Sequence, residues 1–543
     1  MLKIKIFIIT VLLISSVFSE VLFEPNARID DRIDRILQTL SSRSGVALPS
    51  GIFQQPMNYE EIRRFLNAVE KSDNLTQTDR EFLAILQRRY SGEDGFFGIT
   101  DDDGRRRILA NLDLTGSFRA DFKDSARLDA YGMINPRVRA NLGIISFYTD
   151  MYLWTQYRSD TAWHKHDYQP FRGQTFNVIG DEPSNMRAMD DFRGGISAQF
   201  PFARVDIAVD NLTSGPAAHN RLILNAVDKP VFYTRFMLDF NRVQYYQIFG
   251  VLRQLKHLNK FLYYHRAQIP FFENRFTLGL SASIISGSIA DSALMALPHG
   301  QTVWALAQER KIEPVYMIPF LPYVFAEHYT GDRDNKQIAL DFELRLPQIA
   351  RWYAEFMIDD ANDPIRLFTS DHWGNKWAIT VGTQWFPEIA GRNAVFGFEY
   401  CRVEPWVYTH FWGVATNYEH FGKGIGAELG PNSEQIRGLA EIFITYRQGI
   451  KFEAVRNRFN RNVRGGSIGD VFIYDWIHDI FPDYSGLIDS ERKTFLGKGY
   501  TTEYEFSLSH LFRQFQQRYE METRLFYSSQ KGFGLGFWGG FRF

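Results

Sequence analysis

Two periods of hydrophobic spacing divide the chain. Near the start the spacing is helical: between Arg28 and Arg43, Ile29, Ile33, Ile36, Leu37 and Leu40 recur on one face of a predicted helix. Asn58 followed by Glu61 is a capping-box signal, and Ile62, Phe65, Leu66 and Val69 then form a second stripe. Thr78 followed by Glu81 opens a third helix carrying Phe82, Leu83, Ile85 and Leu86. After about residue 105 the period becomes two. Leu112, Leu114, Phe118, Ala120 and Phe122 alternate with Asn111, Asp113, Thr115, Ser117, Arg119 and Asp121. Later, Ile338, Leu340, Phe342, Leu344 and Leu346 alternate with Ala339, Asp341, Glu343 and Arg345. Trp377, Ile379, Val381 and Trp385 alternate with Lys376, Thr380 and Gln384, and Tyr504, Phe506 and Leu508 with Glu503, Glu505, Ser507 and Ser509. A soluble sandwich strand also alternates, but it seldom carries Asp, Glu and Arg on one face and uniformly large apolar groups on the other. A lipid-facing exterior and a wet lumen explain both faces. Between about 125 and 315 the alternation is too broken to assign strands one by one.

The connections alternate in length as well. Pro347-Gln348-Ile349 is a tight turn, Asp360 to Asn375 a long loop, and Pro387 to Asn393 a shorter turn. Gly413 to Arg437 is long, Arg447-Gln448-Gly449 tight, and Asn457 to Gly499 very long. Short periplasmic turns and long external loops are the habit of outer-membrane barrels. The last strand ends the chain in the same spirit. Phe533, Leu535, Phe537, Phe541 and Phe543 take every second position but one, with Gly539 in the gap, while Gly534, Gly536, Gly540 and Arg542 face the other way. A terminal alternating strand ending in Phe541 and Phe543 is the type of signal that barrel-assembly machinery reads. It also orients the barrel: with Phe543 at the periplasmic side, the loops 360–375, 413–437 and 457–499 face outward.

Composition agrees. The 543 residues include 48 Phe, 26 Tyr and 11 Trp, more aromatics than a soluble core needs and suited to a lipid face with interfacial girdles. Net charge is −2, and the first 19 residues hold Lys3, Lys5 and no acid, so the remainder is two charges more negative. That balance excludes a nucleic-acid footprint. With Cys401 as the sole cysteine there is no intrachain disulfide and no cysteine-based metal cluster. Lys3 and Lys5 ahead of Ile6 to Ile14, with Val17-Phe18-Ser19 at a cleavage site, read as a signal peptide over 1–19. The expected organisation is therefore a signal peptide (1–19), a periplasmic helical region (20–105) and an all-β outer-membrane barrel (106–543).

The stretch from Glu327 to Asp363, EHYTGDRDNKQIALDFELRLPQIARWYAEFMIDDAND, and the later Phe398-Glu399-Tyr400 with Tyr408-Thr409-His410, resemble the capsule assembly protein family typified by Wzi. The resemblance spans about residues 315 to 411 and extends less distinctly through the C-terminal strands. It implies a transmembrane barrel of roughly 18 antiparallel strands with a small α-helical part on the periplasmic side. It implies also a role in holding capsular or other surface polysaccharide at the cell surface, among outer-membrane lipid and lipopolysaccharide.

Sugar rings stack on aromatic faces, and their hydroxyls pair with carboxylates, amides and guanidinium groups. The first outer loop offers Asp359, Asp360, Asp363, Asp371, His372 and Trp373; the second Tyr418, Glu419 and His420; the third Trp476, His478, Asp479 and Tyr484. Girdle aromatics and solvated loop acids are the structural alternative for each. Arg456, Arg458, Arg461 and Arg464 form a basic run that fits either an anionic polysaccharide or lipopolysaccharide phosphate, or an ordinary charged loop. The candidate binding set is Asp359, Asp360, Asp363, Trp373, Trp476, Tyr484, Arg458 and Arg461.

No metal or other cofactor is expected. Asp359-Asp360 and Asp332-Arg333-Asp334 lack the glycine and distal glutamate of a calcium loop, and His164 and His166 lack a third ligand. There is no HExxH, and Ser509 beside His510 points away from it on a strand. The sequence thus reads as a barrel that retains polysaccharide without chemistry. A porin or substrate channel is the rival, and the lumen discriminates: a channel needs an open bore, whereas a binder can be plugged by the 457–499 loop or by lumen side chains.

Overall fold

The computed structural model describes residues 26–27, 31–48, 54–55, 57–90, 97–101, 106–122, 126–164, 175–240, 243–253, 259–288, 311–331, 334–410, 416–445, 447–470, 472, 488–514 and 519–542. The expected signal peptide, Trp476, His478, Asp479, Tyr484, His166, Asp332-Arg333 and Phe543 lie outside them. Among the described residues, 18 antiparallel strands close into one barrel. The first six are β1 (Arg107–Phe122), β2 (Ala126–Asn141), β3 (Ile145–Arg158), β4 (Met186–Gln199), β5 (Ala203–Ser214) and β6 (Leu224–Asp239). Next come β7 (Gln244–Leu252), β8 (Lys260–Phe271), β9 (Phe276–Gly287), β10 (Asn335–Leu346), β11 (Ala350–Asp360) and β12 (Lys376–Trp385). The series ends with β13 (Arg392–Val403), β14 (Ser433–Thr445), β15 (Gln448–Phe459), β16 (Thr501–Gln514), β17 (Tyr519–Ser528) and β18 (Gly532–Arg542). β18 closes on β1 in antiparallel register from Gly534 opposite Asp121 to Arg542 opposite Asp113.

The alternation of the sequence is realised with its sense inverted relative to a soluble protein. On β10, Ile338, Leu340, Phe342, Leu344 and Leu346 are exposed on the outer face, while Gln337, Asp341, Glu343 and Arg345 are buried in the lumen. Exposed apolar side chains around a closed barrel form the surface that hydrocarbon chains cover. This is the fold of outer-membrane barrels, and it is the fold expected.

Three helices sit in the turn-side mouth of the barrel: α1 (Asp31–Ser44), α2 (Tyr59–Glu70) and α3 (Gln77–Tyr90). Their apolar stripes, including Ile33, Leu37, Leu66, Val69, Phe82 and Leu86, pack together and against Phe386, Val395, Leu439 and Phe443 of the wall. Too small to be a core alone, they complete one with the barrel. Polar ties fix the seat: Arg35 meets Glu441 at 2.5 Å with both side chains buried, and Gln348 N donates to Ser42 O at 2.8 Å. The third helix starts two residues earlier than its sequence signal. Its capping pair is Thr76 and Asp79, not Thr78 and Glu81: Asp79 N donates to Thr76 Oγ1 at 3.1 Å, and Thr76 N donates to Asp79 Oδ2 at 2.9 Å. An aspartate fills the place a glutamate usually takes in such a box.

The unassigned middle holds β2 to β9, and two features explain its broken pattern. β4 pairs with β5 only from Gly194 to Gln199; further toward the outer rim, β4 pairs with residues 175–178 and β5 with Gln54 and Gln55. Residues 54–55 thus leave the helical region and join the wall. Second, residues 311–331, between β9 and β10, lie over the outside of the barrel. A 3-10 turn (Pro314–Met317) and α4 (Tyr323–Thr330) place Tyr316, Tyr323 and Ala326 on Phe261, Tyr263, Ala282 and Ile284. His265 stacks on Tyr323 with ring centroids 4.2 Å apart, and Tyr263 Oη accepts Glu313 N at 2.8 Å. Polar outward positions are tolerated on β7 to β9 because this strap, and not lipid, covers them. Met317, Ile318, Phe320 and Phe325 of the strap then present the apolar surface.

Some boundaries move. The second long loop runs from 404 to 432, so Arg437 is already on β14; the tight turn comes before Gln448, which with Gly449 belongs to β15. The third long loop starts after Phe459, so Arg456 and Arg458 are strand residues.

Candidate functional site

The lumen between β5 and β14 is filled from above by two inserts, residues 215–223 and, in the second, residues 404–410 and 416–432. The first turns inward at Gly215, whose φ is +117°. A Cβ there would lie 2.3 Å from Glu355 Oε1, so glycine is required by both backbone and space. Two lumen carboxylates then grip the backbone. Glu355 of β11 accepts the N–H groups of Ala217 and Leu222, each at 2.9 Å. Glu399 of β13 accepts those of Ala218, His219 and Asn220 at 3.0, 3.1 and 2.9 Å, and Tyr353 Oη donates to it at 2.8 Å. Thr380 Oγ1 donates to Asn220 O at 2.9 Å, and Arg351, itself paired with Glu343, donates to Pro216 O. Converging N–H groups satisfy the buried carboxylates, as burial of charge demands.

The second insert lies on the first. Tyr408 Oη donates to Leu222 O at 2.7 Å and accepts Ala427 N at 3.0 Å, and Tyr408 stacks on Tyr418 at 5.5 Å. Tyr418 Oη donates to Ser283 of β9 at 3.1 Å. The tip is latched by His420. Its Nδ1 accepts Arg253 N at 3.0 Å and its Nε2–H donates to Pro230 O at 2.9 Å. Burial pushes its pKa down to about 4, and the nearby cations Lys260, Arg253 and Lys229 press the same way.

These contacts relocate several expected site residues. Tyr418 and His420 hold the plug and are not free loop groups. Asp359 faces the lumen and accepts Tyr408 N at 2.5 Å. Trp373 has both ring faces occupied: Phe472 stacks on it at 3.8 Å, and Lys376 Nζ lies 4.8 Å from its centroid. With Trp406, these rings weld three outer loops together. Arg461 binds the carbonyls of Leu429, Pro431 and Gly466, and Arg464 pairs with Asp489 at 2.7 Å, so both brace loops. At the rim, Asp360 is exposed and 3.8 Å from Lys376, and Asp363 pairs with the well-exposed Arg366 at 2.7 Å. Arg458 shares Glu434 with Arg456 and lies 5.8 Å from the Tyr500 ring. The structure therefore brings Asp359 and Trp373 into packing and leaves Asp360, Asp363 and Arg458 where a ligand outside the barrel can reach them.

Sequence reasoning missed the grip of Glu355 and Glu399. Their inward direction followed from the alternation, but their partners at 217–222 lie in the stretch it did not resolve. Among the described residues, no cluster of three or more His, Cys, Asp or Glu could hold a metal ion. Ser509 is buried on the lumen side and His510 exposed outside, so they cannot act together.

No protein-family model matches the chain, and no curated protein matches it in sequence. Among solved structures it is similar to Wzi of Escherichia coli, described as an outer-membrane protein involved in group 1 capsule assembly and as a carbohydrate-binding β-barrel. That match has a TM-score of 0.56 and 14% identity, and covers 96% of this chain and 99% of Wzi. OccK8 (OprE) of Pseudomonas aeruginosa follows with a TM-score of 0.45 and 8% identity, covering 83% of this chain and 99% of its own. A BenF-like porin of Pseudomonas fluorescens Pf-5 gives 0.42 and 7%, covering 80% and 98%.

Proposed function

We propose that this chain is an outer-membrane retention factor for capsular or other surface polysaccharide, which it holds non-covalently at its outward end. One observation carries the reading: inserts gripped by Glu355 and Glu399 fill the β5–β14 side of the lumen, while the opposite mouth seats three helices. Evolving such a plug costs a channel its bore but gives a binder a rigid platform for its loops. The exposed Asp360 and the half-buried Asp363 and Arg458 at the rim supply the hydrogen-bonding types that sugar hydroxyls need, and the exposed Arg366 adds a cation suited to an acidic polymer. The likeness to a carbohydrate-binding barrel of capsule assembly supports the same direction. The proposed action assigns no reaction and no cofactor.

The test is retention of native surface polysaccharide by the purified, immobilised barrel. Retardation on the column, lost when the polymer is exchanged for an unrelated neutral dextran, is expected. Passage of the native polymer in the void volume refutes the proposal.

A further inference from the structure

The wall formed by β16, β17, β18 and β1 differs from the filled side. On β10, β11 and β13 the buried lumen charges are paired or grip backbone: Asp341 with Arg266, Glu343 with Arg345 and Arg351, Glu355 and Glu399 with the insert. On the β16–β1 wall Arg119 pairs with Asp121 at 3.0 Å and Arg137 with Asp113 at 2.9 Å, but three further inward charges face open space. Glu505, Glu522 and Arg524 make no hydrogen bond or ion pair with any described residue, and Glu505 and Arg524 are exposed although they point inward. They line a groove of about 320 Å³ together with Arg119 and Trp538. That volume falls near the lower end of the roughly 300–1,000 Å³ in which small-molecule sites lie.

The floor of the groove is made by omission of side chains. The inward positions of β18 are Gly532, Gly534, Gly536, Trp538 and Gly540, so one large ring lies in a row of glycines. Gly534 has a local reason: a Cβ there would lie 2.1 Å from Phe526 Cζ. Phe526 leans across it, and the Arg119 guanidinium sits 4.1 Å above the Phe526 ring, which fixes its fork. Gly536 has no such reason. A Cβ would find its nearest neighbour, Arg524 Cβ, at an ordinary 3.8 Å, so packing leaves space unused between Arg524 and Trp538. Trp538 lies along the wall, with its benzo edge 3.2 Å from where a Gly540 Cβ would be. An indole laid along a recessed wall, flanked by a held guanidinium, a free guanidinium and two free carboxylates, is the equipment that binds a pyranose ring: the ring stacks, and its hydroxyls pair with the ions.

We infer that this groove is a saccharide subsite: a short segment of the polysaccharide enters from the outer rim, and one sugar ring stacks on Trp538 between Arg524 and Glu522. The site rests on the retention function proposed above, and it moves part of the binding from the loops to the inner wall. Arg119, Arg524 and Lys531 face Glu505 and Glu522 across the groove, a mixture that fits neutral or acidic sugars.

The test uses the full-length folded barrel and short oligosaccharides released by mild acid from the surface polysaccharide of the producing bacterium, titrated by fluorescence anisotropy. Trp538→Ala removes the stacking face, and Gly536→Leu fills the groove at a position with room for a side chain. Arg392→Ala, at the opposite end of the barrel, is the control. Folding of each is checked by the heat-dependent gel mobility of the intact barrel. Both groove variants are expected to raise Kd about tenfold or more with the control unchanged. Binding by wild type that is unaffected by both groove variants overturns the subsite and leaves polysaccharide retention standing. No binding by wild type removes the retention function, and the subsite with it.

Discussion

Lowering the pH should open the lumen insert at His420. The neutral imidazole is used at both nitrogens: Nδ1 accepts Arg253 N and Nε2–H donates to Pro230 O. Adding a proton at Nδ1 converts that acceptor into a donor facing an N–H. The native pKa is about 4 against an ordinary 6.5, so the opened state binds more protons throughout that window. Stability of the closed latch is therefore full above about pH 6.5 and is lost as the pH falls toward 4. The linkage relation gives a loss of about 2 kcal/mol at pH 5 and about 3 kcal/mol at pH 4. The assay is amide hydrogen exchange of residues 416–432 in detergent-solubilised barrel at pH 7 and pH 5, corrected for intrinsic exchange. Opening at pH 5 should be about twentyfold more frequent than at pH 7. His420→Gln offers an acceptor and a donor without titrating, and should flatten the response. Equal protection at both pH values, or the same pH response in His420→Gln, refutes the latch.

Three further outcomes follow from individual contacts. Gly215→Ala forces a methyl group onto Glu355 in a left-handed backbone, and should cost about 2–3 kcal/mol, read as a lower temperature for the gel-mobility transition. Arg35→Ala strands buried Glu441 and should loosen the helical plug by about 3–5 kcal/mol, seen as protease cleavage between residues 31 and 90 that wild type resists. Tyr316→Phe deletes the hydroxyl that donates to Asp334 at 2.7 Å, and should destabilise the outer strap locally by about 1–3 kcal/mol, read as faster exchange over 311–330 with the barrel unchanged.

Legibility in the sequence tracked how directly each element meets its solvent. The outward Ile338 to Leu346 series and the last strand read plainly because lipid imposes one chemistry on every second residue. The helices read plainly through their stripes, although the Thr76–Asp79 cap shows that two threonines separated by one residue can shift a start by two residues. The middle resisted because Tyr245, Tyr263 and His265 face outward under protein and not under lipid, which erases the contrast that the period depends on. The candidate site was read less well. Loop acids and aromatics such as Asp359, Trp373 and His420 carry the right chemistry for sugars, but tertiary contacts between segments far apart in sequence use them for plugging and bracing. Trp538 escaped notice for the opposite reason. It sits in a strand whose outward Phe positions dominate the pattern, and its value depends on neighbouring strands.

The most direct test of the account is surface polysaccharide in a deletion strain, quantified on the cells and in the medium. The account predicts that polymer moves from cells to medium while total synthesis stays unchanged, and that re-expression of the intact barrel returns it. An unchanged distribution between cells and medium contradicts it.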